Sequence, residues 1–214
     1  MQNFLIFNQD ELTGQLASVR PDQRMVFALS CTGRLLHSYN LCASRAGTGD
    51  RETYNAILAR LWSDLDGLEI SDSEMAGLVE ASERLLPRAE AEDDEDEAEA
   101  EEEDQPSSWL MEEPLAEDAT LALYYAVQCR ASRSAFQAAL TASQTYDALD
   151  GYVTEVAGYV LLDASLRAIV RQHPLIQAEF RRQARDIDEL LSGEVDLKVI
   201  RERVERESQE FIPW

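Results

Sequence analysis

Between Glu90 and Asp104 the chain carries twelve acids and no base. Such a stretch repels itself and cannot enter an apolar interior, so an extended, hydrated segment is expected there. Any core must then be assembled from the chain on either side of it. The expected organisation is an N-terminal helical half over 1–88, an acidic low-complexity linker or insertion over 89–108, and a C-terminal helical half of the same domain over 109–214.

The run also divides the charge. The full sequence has 42 acids against 19 bases, a formal −23, and removing the twelve acids leaves −11. A basic nucleic-acid reader is excluded, because phosphate contacts need concentrated Lys and Arg. An apolar fraction of 45% places the rest among chains that bury a core. Among the cations Lys198 is the one lysine and the others are arginines, which favour bidentate carboxylate pairing. Internal Arg–carboxylate networks are therefore expected.

The dominant period is helical. Tyr54, Ile57, Leu58, Leu61, Trp62 and Leu65 fall on one face, after a turn at Gly47 and Gly49 with Thr48 or Asp50 as cap. Asp22 is placed to cap an earlier helix through Val26, Phe27, Leu29 and Cys31 to about Ala46, with Gly33 a weak point inside it. A short helix over Glu11 to Val19 stops at Pro21, and Ser71 with Glu74 forms a capping box for a helix that turns Met75, Leu78, Val79, Leu85 and Leu86 inward.

After the run, Trp109, Leu110 and Met111 form an apolar island that packs the incoming chain. Helical signal resumes at Asp118 and again around Phe136 to Leu149, with Gly151 and Gly158 as interruptions. Val160 to Val170 is almost wholly apolar and reads as a central buried helix. Pro174 starts another helix that stops at Gly193, and a last one spans about Asp196 to Ser208. No useful alternating strand appears. The expected fold is all-α, a single compact bundle of about seven to nine helices with a mid-chain acidic loop.

The order of features resembles the YjaG-like family of small all-helical bacterial proteins of unknown function. The likeness rests on Gly47-Thr48-Gly49-Asp50 before the Tyr54-x-x-Ile57-Leu58-x-x-Leu61-Trp62 helix, and on His173-Pro174-Leu175-Ile176-x-x-Glu179-Phe180 with Gln183 following. It implies one all-helical domain and no particular activity. The long acidic run and the ending Ser208 to Trp214 depart from the family pattern and suggest a specialised member.

Chemical motifs are sparse. A di-iron bundle needs Glu-x-x-His pairs, yet Arg34 and Val170 stand three residues before His37 and His173. Cys31 and Cys42 are eleven residues apart, about 16 Å along a straight helix, so they cannot grip one ion together. With Cys129 they read as buried thiols of a reduced, cytoplasmic protein. Neither a nucleophile elbow nor a phosphate-binding loop occurs. No catalytic, cofactor or metal residue is assigned, and an enzymatic pocket near Tyr54 and Tyr124 ranks last.

What remains is the run. It can be an inert solubilising linker, a mimic of nucleic-acid phosphate that occupies a basic surface, or a loose latch on Arg181, Arg182, Arg185, Arg201, Arg203 and Arg206. The leading expectation is a non-enzymatic protein-binding module, most concretely an immunity or inhibitor protein that neutralises a basic toxin or nucleic-acid-directed enzyme. Its partner-binding residues would be Glu92, Asp93, Asp94, Glu95, Asp96, Glu97, Glu101, Glu102, Glu103 and Asp104, with Trp109 and Trp214 as apolar anchors. The alternative is a housekeeping YjaG-like protein with a regulatory or small-ligand role and an inert linker.

Overall fold

The computed structural model describes residues 6–46, 49–87, 109–156, 164–193 and 195–212. Among them there are nine α-helices and no strand: α1 (Gln9–Ala17), α2 (Pro21–Ala46), α3 (Arg51–Leu65), α4 (Asp72–Leu85), α5 (Trp109–Ser132), α6 (Ala135–Val156), α7 (Ala164–Arg171), α8 (Pro174–Ser192) and α9 (Leu197–Gln209). The all-α expectation holds, and the helices form a compact bundle.

Several helix ends follow directly from the sequence. Asp50 caps α3 by accepting from the Thr53 N–H at 2.9 Å. The far end of α3 closes on Gly67, whose φ of +95° lets its N–H reach the Asp64 carbonyl while the Leu68 N–H reaches Ser63. Ser71 caps α4, Asp196 caps α9, and Gly193 ends α8 at φ +80°.

The centre of the bundle is α2, which packs against α3, α5, α6, α8 and α9. Its residues Phe27, Ala28, Leu29, Cys31 and Leu35 are wholly enclosed. α5 and α6 lie side by side through small residues such as Ala119, Ala122, Ala126, Ala138, Ala139 and Ala142, which permit close approach of the two backbones. On α3 the expected face is buried at Tyr54, Ile57, Leu58, Leu61 and Trp62, and truncating Leu61 would cost about 2–5 kcal/mol.

Two expectations need correction, at Asp22 and at Gly151. Asp22 does not cap α2: Pro21 occupies the first turn, where its missing N–H costs nothing, and Gln23 Oε1 accepts from the Arg20 N–H. Of the Val160–Val170 segment, residues 160–163 lie outside the described residues; from Ala164 it belongs to the eight-residue α7, where Ala168 and Ile169 are exposed and Val170 is buried. The apolar island from Trp109 to Met111 opens α5, a helix that runs through Pro114, and what its side chains pack on lies outside the described residues. Gly151 does not interrupt α6, which has no steric demand there and continues to Val156. Met75, Leu78, Val79 and Leu85 turn inward as expected and pack half-buried against the core, so α4 lies on the core's edge.

Gly33 is the most informative of the glycines. A Cβ there would stand 2.5 Å from Cγ1 of Val204, so its absence lets α9 press onto α2. What looked like a weak point is a contact point.

Candidate functional site

The ten expected acidic contacts, Glu92 to Asp104, and the Trp214 anchor lie outside the described residues, and of Trp109 only the backbone is described, as the first residue of α5. The described chain around them is itself acidic. Glu117 and Asp118 sit near the start of α5, and Asp147, Asp150 and Glu155 sit on the facing stretch of α6. Asp118, together with Tyr152 and Glu155, lines a small cavity of about 70 Å³. Burial pushes the Asp118 carboxyl up to about 7, with the Asp147 and Glu117 charges adding to the shift. Asp147 is also raised, mainly by burial, although Ser143 donates to it. This end of the bundle therefore collects negative charge that its own described neighbours do not neutralise.

A second, deeper ionic site was not singled out beforehand. Arg34 is fully enclosed in the middle of α2. Its Nη2 and Nε donate to Glu179 Oε1 at 2.8 and 3.1 Å, and its Nη1 donates to Asp186 at 2.8 Å. Glu207 of α9 approaches the same guanidinium at 3.7 Å. Arg185 and Arg203 surround the carboxylates: Arg185 bonds Asp186 and Glu207, while Arg203 bonds Asp186 and Glu189. Burial works against the Arg34 charge, but Glu179 and Asp186 hold it firmly protonated. Burial also raises the Glu179 carboxyl, and Arg34 opposes that rise. Cys31 accepts from Arg34 at 3.3 Å, and burial pushes its thiol far up, which makes it a poor nucleophile.

This cluster ties α2, α8 and α9 together and is the internal network that an arginine-rich cation set implied. The sequence held a signal for it: Arg34 continues the enclosed face of Phe27 and Cys31 at helical spacing, and a cation there has to be paired. The same pairing uses four of the six arginines expected to receive the acidic run, while Arg181 and Arg206 are exposed. Arg182 meets Glu179 and Glu210, Arg185 and Arg203 belong to the cluster, and Arg201 binds Asp66 at 2.8 Å.

An open groove of about 500 Å³ lies between α2, α3 and α9. Gly33, Leu36, His37 and Asn40 of α2 form its floor. Asn55, Leu58, Ala59, Trp62 and Ser63 of α3 make one wall, and Arg201, Val204, Glu205, Ser208 and Gln209 of α9 make the other. Asn55 donates to Asn40 across the floor at 3.3 Å. Arg201 closes one end, its guanidinium 5.1 Å from the centre of the Trp62 ring. A cleft of about 560 Å³ near the other end of α2 is lined by Met25, Cys129, Glu69 and Arg133 beside the Asp64–Arg130 ion pair.

Tyr54, by contrast, offers no pocket. It is fully buried, stacks on Tyr39 with ring centres 4.2 Å apart, and donates to the Ala119 carbonyl. Cys31, Cys42 and Cys129 are buried thiols, and among the described residues no group of three His, Cys, Asp or Glu is arranged to hold a metal ion. None of the described helices is long and apolar enough to cross a membrane.

No family-wide sequence profile matches the chain, and no curated protein matches it in sequence. Its fold does have a solved counterpart: a DUF416 family protein from Shewanella baltica OS155, superimposed with a TM-score of 0.68 at 16% identity. The likeness covers 92% of this chain and 93% of that one. The chain is thus similar, over nearly its whole length, to an all-helical bacterial protein of a family of unknown function.

Proposed function

We propose that the protein is a non-enzymatic, acidic protein-binding module whose partner is a basic protein, most concretely an immunity or inhibitor protein that neutralises a basic toxin or a nucleic-acid-directed enzyme. The observation that carries this proposal is the way charge is allocated. Arg34, Arg182, Arg185, Arg201 and Arg203 are paired with carboxylates of the helical body. In this reading the twelve acids of the run and the Asp118 end of the bundle supply the negative field that attracts cations from outside. A field of that sign steers a basic partner and raises its association rate, with strong salt dependence.

The test is capture of partner protein from the native cell at low and high salt, using the wild type and a chain whose acids over 90–104 are replaced by Ser and Gly. A basic protein retained at low salt, released at high salt and lost with the neutralised chain is the expected result. Capture indifferent to the neutralised run would refute the proposal.

A second reading draws support from the near full-length likeness to the DUF416 protein and from the groove over α2. In it the chain is a housekeeping member of the YjaG-like family, with a regulatory or small-ligand role and an inert linker. Full activity in the native cell after deletion of residues 90–104 would favour it.

A further inference from the structure

We infer that the groove between α2, α3 and α9 receives a short amphipathic helix that presents apolar side chains inward and Lys or Arg outward. This inference rests on the basic-partner proposal and gives that partner a second, structured point of attachment away from the acidic run.

The shape comes first. Each wall is lined at helical spacing: Leu58 and Trp62 on α3, Val204 and Ser208 on α9, and Leu36 and Asn40 on the floor. α3 and α9 each pack on α2 but scarcely on one another. Both are drawn outward by specific bonds. Asp64 with Arg130 and Tyr54 with the Ala119 carbonyl hold α3 to α5, while Glu207 with Arg185 and Arg203 with Glu189 hold α9 to α8. The result is a three-helix arrangement with a vacant fourth position. From Asn55 to Ser63 the wall is about 12 Å long, enough for two turns of a docked helix. A volume of about 500 Å³ accommodates two or three large side chains rather than a whole second domain.

The chemistry comes second. Leu36, Leu58 and the edge of Trp62 supply apolar contact. Arg201 is already committed to Asp66, so it adds no net charge to the groove. Glu205 is exposed on the α9 wall, and the α3 wall opposite, from Asn55 to Ser63, presents no charged residue to the groove. The groove is thus acidic at its rim, within a protein of net charge −23. A cationic helix complements it and an anionic one does not.

The probe is a synthetic peptide of about sixteen residues with Leu at i, i+3, i+4 and i+7 and Lys elsewhere, alongside a Leu/Glu counterpart. Binding is followed by the indole resonances of the full chain, whose three tryptophans report separately on the groove (Trp62) and on the expected anchors (Trp109 and Trp214). The Leu/Lys peptide should shift the Trp62 signal, and Ala59→Phe or Glu205→Arg should weaken binding at least about tenfold. The Leu/Glu peptide should not bind. Both substitutions are at exposed positions, and circular dichroism checks that each variant is folded.

An unmoved Trp62 signal, equal binding of the Leu/Glu peptide, or wild-type affinity in both groove variants overturns the inference. If only the chain neutralised over 90–104 loses the peptide, the groove falls and the run keeps its proposed role. If only the groove variants lose it, the groove stands, and the role of the run is decided separately by partner capture with the neutralised chain.

Discussion

Glu179 and Asp118 are both carboxylates withdrawn from water, and both are pushed up by burial, yet their surroundings are opposites. Glu179 sits on α8 against the guanidinium of Arg34, with Gln183 donating at 3.0 Å and Arg182 nearby. Asp118 sits on α5 with Asp147 and Glu117 adding to the cost of its charge. Burial penalises the charge in each place, more heavily at Glu179, and the neighbours decide whether the penalty is offset or enlarged. One cluster closes the bundle, while the other leaves a charge that any approaching cation relieves.

The sharpest way to break this contrast is Arg34→Ala. It leaves the buried Glu179 with only the more distant Arg182, takes from Asp186 one of its three guanidinium partners, and should cost about 3–5 kcal/mol in urea unfolding. It should also make the Glu179 cluster behave like Asp118: the variant becomes most stable at acid pH, because protonation then removes an uncompensated charge. A variant with unchanged stability at neutral pH would show that Arg34 is not what holds α8 to α2.

Gly33→Ala comes next. The new Cβ meets Val204, pushes α9 from α2 and should cost about 1–3 kcal/mol. Because Glu207 of α9 faces Arg34, amide exchange should quicken in α9 and in the adjoining part of α8, while the Asp118 region of α5 and α6 keeps its protection. Adding Val204→Ala should restore part of the loss.

Asp118→Asn tests the other side. A raised carboxyl destabilises the fold in its ionised form, so the wild-type contribution falls as pH rises from about 4 through about 7 and is fully present as a penalty above that. The variant should lack that decline. At pH 8 it should gain about 1–2 kcal/mol, less than the roughly 4 that three pKa units would give for a wholly buried group, because Asp118 is partly solvated. Thermal melts from pH 4 to pH 8 read the difference.

The smallest effect on stability is expected from replacing the acids over 90–104 with Ser and Gly. Unfolding should change by no more than about 0.5 kcal/mol. A larger change would mean that the run contributes to the fold and is more than a field for partners.

Much of this architecture was legible because the deciding interactions are local. The Tyr54–Trp62 face, the Asp50 and Ser71 caps and the Gly193 stop depend on residues within one or two turns. Hydrophobicity alone names a helix but not its depth: in α7, Ile169 faces solvent while its neighbour Val170 is buried. The sites were harder to read. Arg34 meets Glu179 and Asp186 across about 150 positions of chain, and the groove exists because three helices from distant segments splay in a particular way. Arg201 is expected in a loose latch for the acidic run, yet packing gives it to Trp62 and Asp66.

The three enclosed cysteines turn the molecule into its own stopwatch. Cys31 lies beside Arg34, Cys42 toward the far end of α2, and Cys129 near the other end of the bundle on α5. A thiol reagent can mark each one only when the helices around it part, so three labelling rates time three openings in one sample. If the paired cluster is what keeps the bundle shut, Cys31 should be the last to react.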